Sequence, residues 1–292
     1  GQAASRGWPA WAPAAVAGVL VALAAIAWVP SARHLGGSAD TSDQRAIDGA
    51  RGWVLANLPS RPRLAVDDAM WAALVDAGYP VDQLAPVGGL GPDRAGWPGG
   101  WAECRYTVGR DRVLLGADPA DAARLARQSS SPVAAFGEGD DRVEVRRVVT
   151  DPDAAAEALR DASTRIDAGA GLARNPKLGL QPGAAALLRR GAVDSRPLSV
   201  LAAISGQHAL TVVDFPAVPG EDPRLPRRLV AVSTIDGEPA RAGATVVTTL
   251  DQWLRAQQPP YRPAGTELSD EGGTSVLVVR FDALGATGLL PP

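Results

Sequence analysis

Arg63-Leu64-Ala65-Val66-Asp67-Asp68-Ala69-Met70-Trp71-Ala72-Ala73-Leu74-Val75-Asp76-Ala77-Gly78 decides the reading of this chain. The run Arg63 to Val66 is short, apolar and unalternating, which suits a strand buried on both faces. Two aspartates follow at once, then an apolar-periodic stretch from Ala69 to Ala77 that stops at Gly78. Strand, acidic cap, helix and terminating glycine make a β–α unit, and such units build α/β sheets. Upstream, Asp43 to Asn57 predicts an amphipathic helix, because Ala46, Ala50, Trp53, Val54 and Asn57 recur at helical spacing. Ser42 or Asp43 is its N-cap and Pro59 its stop.

Downstream the pattern continues. Arg105 to Val108 and Arg112 to Leu115 are strand-like, and Asp118-Pro119 opens a helix running to about Gln128. Val133 to Phe136 and Arg142 to Val148 are expected to pair as a hairpin across Gly137-Glu138-Gly139-Asp140-Asp141, whose glycines and aspartates accept left-handed backbone. Residues 43–150 thus predict a small Rossmann-like α/β sheet domain with an antiparallel edge. Asp151 to Ala173 is a helix, placing a helical linker at 151–176. Helices over Pro182 to Arg190, Pro197 to Gly206 and Thr248 to Gln257 follow, with strands over Ala209 to Phe215, Leu229 to Ile235 and Thr274 to Phe281. They make residues 177–292 a second, α+β lobe.

A different signal precedes these elements. Gly7 to Ala32 carries no charge, and its apolar centre from Ala10 to Val29 has about the 20 residues that cross a bilayer core. Trp8, Trp11 and Trp28 fall where an interfacial aromatic belt belongs. A transmembrane helix over residues 7–32 is the expectation, with the lipid bilayer as partner. A signal peptide and an alanine-rich buried helix are the competing readings. The chain opens on Gly1, and Met70 is its one methionine, so it is expected to be a piece of a longer protein.

Composition narrows the chemistry. The 292 residues carry a net charge of −3 with both signs dispersed, so no basic patch for nucleic acid is visible. One cysteine excludes an internal disulfide framework and a zinc ribbon. Asp67 and Asp68 lie at a strand's C-terminal end, where α/β sheets place ligands, and adjacent carboxylates can hold a divalent cation. The alternative is a helix cap with an acidic first turn, which is preferred. His34 and His208 are too few for a multi-histidine metal site. Ser205 and His208 are candidates for a nucleophile and base, but no nucleophile elbow surrounds the serine. Cys104, beside Trp97, Trp101 and Tyr106, reads as a core thiol. The Gly88 to Gly100 stretch is a loop whose tryptophans are expected to pack, with sugar stacking or lipid insertion as the alternatives. Glu221 and Asp222 read as a solvated acidic loop. No catalytic, cofactor or metal residue is therefore assigned.

The blocks Ala50 to Pro59, Leu64 to Trp71 and Leu74 to Gly78 resemble the extracytoplasmic region that follows the last membrane spans in actinobacterial polytopic glycosyltransferases of the dolichyl-phosphate-mannose mannosyltransferase type. The likeness covers roughly residues 10–150. Phe136 to Gly139 with Val143 to Arg147, and Asp214 to Pro216 with Pro219 to Glu221, resemble uncharacterised actinobacterial membrane proteins. The resemblance implies a membrane-anchored, extracytoplasmic domain of the cell envelope that binds acceptor, lipid-linked sugar donor, envelope glycan or a partner. The family's catalytic acid lies in an early loop that this sequence does not contain, so no catalytic residue carries over. Local charge points the other way: Arg6 precedes the run and Arg33, Arg45 and Arg51 follow it, which by the positive-inside rule places the large domain in the cytoplasm. A single-pass envelope scaffold without catalysis is the alternative.

Overall fold

The structure, a computed structural model, describes residues 40–87, 100–271 and 274–289. The expected span at 7–32, His34 and the 88–99 part of the tryptophan-bearing loop lie outside these residues. Among the described residues no helix is long and apolar enough to cross a membrane. Thr41 to Pro292 forms one compact unit, a mixed α/β arrangement with two sheets and eight described α-helices.

The unit opens with α1 (Asp40–Asn57), whose buried face is Ala46, Ala50, Trp53 and Val54. The chain then enters β1 (Leu64–Val66), α2 (Asp68–Asp76) and β2 (Leu84–Pro86). After them come β3 (Tyr106–Arg110), α3 (Asp111–Leu114), α4 (Ala122–Gln128) and the hairpin of β4 (Ser130–Phe136) with β5 (Val143–Val148). The first sheet has the order β2-β1-β3-β5-β4. β1 runs parallel to both β2 and β3, and β5 and β4 join antiparallel. All three residues of β1 are fully buried, as a central parallel strand requires. The expected antiparallel edge is therefore present.

One expected strand is a helix. Arg112 to Leu115 reads as an apolar run, but the chain turns at Asp111 into α3, which drops Leu114 onto Cys104, Ala65, Ala123 and Ala126. A short apolar run fits either state, and here packing chooses.

The second half begins with α5 (Ala154–Leu172), then β6 (Leu178–Leu180), α6 (Pro182–Arg189), α7 (Ser195–Ser205) and β7 (Leu210–Asp214). β8 (Leu229–Ile235), β9 (Glu238–Pro239), α8 (Thr245–Arg255), β10 (Gly265–Glu271) and β11 (Thr274–Arg280) complete it. The second sheet runs β10-β11-β8-β7-β6, with β9 on β8. Its core gathers Leu188, Val193, Leu201, Val212, Val232, Leu254 and Phe281, all buried. α5 crosses α6 where Gly169 lies so near the Leu188 carbonyl that a Cβ would meet it at 2.1 Å.

Polar side chains stitch the two sheets together. The Tyr106 hydroxyl donates to the Ala283 carbonyl at 2.8 Å, and burial pushes its phenol up to about 12. Arg147 donates to the Ala286 carbonyl at 2.6 Å and to that of Gly288. Arg196 pairs with Asp194 at 2.9 Å and with Asp282 at 3.1 Å. The tail beyond β11 thereby becomes a strap that lies against both halves.

Candidate functional site

The strand-end aspartates separate into different roles. Asp67 is fully buried and caps α2: the Met70 N–H donates to its Oδ1 at 2.9 Å. Its Oδ2 accepts both the backbone N–H and the Nε–H of Arg110, each at 3.0 Å. Arg110 reaches on to Asp43 at 3.4 Å. The carboxylate is thus engaged by a cap and a half-buried guanidinium, and Gly109 is part of the reason it fits. A Cβ there would lie 3.0 Å from the Asp67 carboxyl carbon. Asp68 is exposed, in the first turn of α2, where a negative charge favours the helix dipole. The preferred reading of this pair as a cap matches the geometry. Among the described residues no group of three or more His, Cys, Asp or Glu side chains converges as metal ligands would.

Glu221 is a correction. The sequence places it in a solvated loop, but its side chain is only 9% exposed and pairs at 2.6 Å with Arg228, itself among the largest fully buried side chains. The Trp53 Nε1–H also donates to Glu221 at 3.1 Å, and Arg228 donates to the Asn57 side-chain carbonyl at 2.7 Å. A buried charge needs a partner and satisfied hydrogen bonds, and this cluster supplies both from α1, the 221 loop and the residue that leads into β8. Asp222 is half-buried, and the Arg224 side chain hydrogen-bonds to it and holds its carboxyl below the usual range.

Ser205 and His208 do not form a catalytic pair. The buried Ser205 hydroxyl donates to the Ala202 carbonyl and accepts from the Asn175 amide. His208 instead meets Asp236 through Nδ1 at 2.7 Å, on an exposed turn. Cys104 is buried, and desolvation pushes its thiol up to about 12, so it stays the protonated core residue that the sequence suggests. Trp101 packs beside it.

The open concave surface lies elsewhere, along α5. A groove of about 710 Å³ runs between the first turns of this helix, the start of β4 and the Arg224-Leu225-Pro226 segment. Ala155, Leu159 and Ala162 of α5, Leu225 and Pro226, and Ser129, Ser130 and Ser131 all line it. Leu159 is 75% exposed, which makes it the most exposed of the large apolar side chains described. A second cavity of about 350 Å³ shares Val149, Asp151 and Ala158 with the groove and continues it towards Arg105 and Arg147. Volumes of this order suit small-molecule sites, which run to roughly 300–1,000 Å³. Sequence reading missed the groove because its lining comes from separated segments with no motif between them. The one local signal is Leu159, a lone large apolar residue in an otherwise alanine and charged stretch.

Comparison with protein-family models, with characterised proteins and with solved structures gives no match for this chain.

Proposed function

We propose that this chain is a membrane-anchored protein of the cell envelope whose two-sheet unit works by binding, as the non-catalytic region of a glycosyltransferase-like protein. The observation that carries the reading is a contrast within the unit. Asp67, Glu221, Cys104 and Ser205 are committed to capping, ion pairing or packing, while the open groove along α5 presents apolar walls and serine hydroxyls. Such a surface suits recognition of an acceptor, a lipid-linked sugar or a partner. The uncharged run from Gly7 to Ala32 supports the anchor. The resemblance of residues 50–78 supports the envelope and an outward-facing domain.

The test is a labelling experiment on intact cells. A cysteine in place of the exposed Leu159 gives an accessible thiol, and the buried Cys104 stays silent. Reaction with a membrane-impermeant maleimide is expected in intact cells, with the protein in the alkali-washed membrane fraction. Labelling that appears only after permeabilisation, or recovery of the chain in the aqueous fraction, would overturn the proposal.

A further inference from the structure

We propose that the outer face of α5 is where two copies of this chain associate, as an antiparallel pair of helices related by a two-fold axis. The inference rests on four charges and is independent of the envelope reading.

Asp153, Arg160, Asp167 and Arg174 recur every seven residues along α5 and alternate in sign. Asp153 is the N-cap, and Arg174 follows the C-cap Ala173, whose backbone is still helical. At about 3.6 residues per turn, a seven-residue repeat keeps all four in one stripe. That stripe runs on the side of the helix away from the buried Arg165, Gly169 and Leu172. All four charges are exposed. Charges compensate one another along a helix at three or four residues, so members of this stripe are too far apart to do so. Among the described residues, none of the four side chains forms an ion pair or a hydrogen bond.

The stripe is its own complement when reversed: minus, plus, minus, plus becomes plus, minus, plus, minus. An antiparallel second copy therefore meets it charge for charge. With the two-fold axis between Ser163 and Thr164, Asp153 faces Arg174 of the second copy and Arg160 faces its Asp167. Symmetry then repeats both pairs. Sliding the helices by one heptad either way sets Arg160 or Asp167 against its own copy. A parallel pair in register sets every charge against its like, and a parallel pair shifted by a heptad leaves end charges unmatched and does not close. Ala156, Ser163 and Ala170 run beside the stripe and are small enough to let the axes approach. Leu159 and Ile166, 75% and 46% exposed, lie on the same flank, so pairing also takes apolar surface out of water.

The test is sedimentation equilibrium of the full chain in a non-ionic detergent at about 50 mM salt, where surface charges are weakly screened. A reversible monomer–dimer equilibrium is expected. Arg160→Asp turns two attractions into two repulsions and should weaken the dimer at least about 5-fold, the scale of two exposed ion pairs. Arg160→Asp combined with Asp167→Arg restores the match and should return the affinity to within about 3-fold of the parent. A short bismaleimide should couple two copies through Ser163→Cys, beside the axis, while the native Cys104 is buried. It should not couple them through Asp153→Cys, which the pairing holds about 30 Å from its own copy. A chain that stays monomeric, or a dimer indifferent to Arg160→Asp, would overturn the proposal. So would a double variant no tighter than the single one, or coupling through Asp153→Cys as ready as through Ser163→Cys.

Discussion

Replacing Asp67 by asparagine tests the structure most directly, because sequence and structure expect different results. As a plain N-cap, Asp67 would tolerate asparagine, which caps about as well. In the structure one oxygen accepts from Met70 and the other from two groups of Arg110. Asparagine has a single acceptor oxygen. If that oxygen stays on Met70, its NH₂ faces two N–H donors of Arg110. If it flips to Arg110, the cap is lost and the guanidinium keeps only the more distant Asp43. A lost cap costs about 1 kcal/mol and a lost charge-assisted hydrogen bond about 1.5–3 kcal/mol, so Asp67→Asn should destabilise by roughly 2–4 kcal/mol. Asp67→Ala should cost more, towards the roughly 3–5 kcal/mol of a broken buried pair, because it gives up both roles. Asp43→Asn, at the exposed end of the same chain of contacts, should cost under about 1 kcal/mol. Urea unfolding of the three variants, compared at constant m-value, measures all of this. An Asp67→Asn variant within about 0.5 kcal/mol of the parent protein would refute the argument and return Asp67 to a cap alone.

Three further outcomes are expected. Thr107 on β3 is fully buried, and among the described residues its hydroxyl makes no hydrogen bond, so Thr107→Val should stabilise the protein by about 1 kcal/mol in a denaturant melt; a loss of stability would mean that the hydroxyl holds a buried water. Gly169→Ala should destabilise by at least about 1 kcal/mol although alanine is the better helix former, because its Cβ meets the Leu188 backbone carbonyl. A stabilised variant would show that α5 and α6 slide apart freely. The Asp236 carboxyl is held below its usual range by the His208 hydrogen bond first and by the Ala209 N–H second. A depressed value contributes stability above the unfolded pKa of about 3.9 that is lost as pH falls through the folded one. Asp236→Asn, which suits the backbone φ of 53° at this turn, should therefore be less stable than the parent at pH 7, with the gap closing below about pH 4. A gap independent of pH would contradict it.

What could be read ahead of the structure follows the reach of each interaction. The cap at Asp67 was legible because its acceptor and donor are three residues apart, whereas its second partner Arg110 is 43 positions away. Glu221 looked solvated because its neighbours are Pro219, Gly220, Asp222 and Pro223, a composition that marks loops. Trp53 and Arg228, which bury it, arrive from α1 and from the residue just before β8. β10 escaped notice because Gly-Thr-Glu-Leu-Ser-Asp-Glu alternates only weakly; its pairing with β11 across seven register positions makes it a strand. Its charges suit an edge position, where they discourage pairing with other chains.

The sequence by itself determined the alternation of strands and helices, the cap and glycine punctuation of α2, and the antiparallel hairpin of β4 and β5. These depend on periodicity and on contacts within a few residues, so local chemistry suffices. Only the tertiary structure decided that β1 lies between β2 and β3, that α3 is a helix, that Glu221 and Arg228 form a buried pair, and that a groove opens along α5. Each of these is a choice among long-range partners. Its free energy comes from burial and charge compensation between segments that a reading along the chain does not bring together.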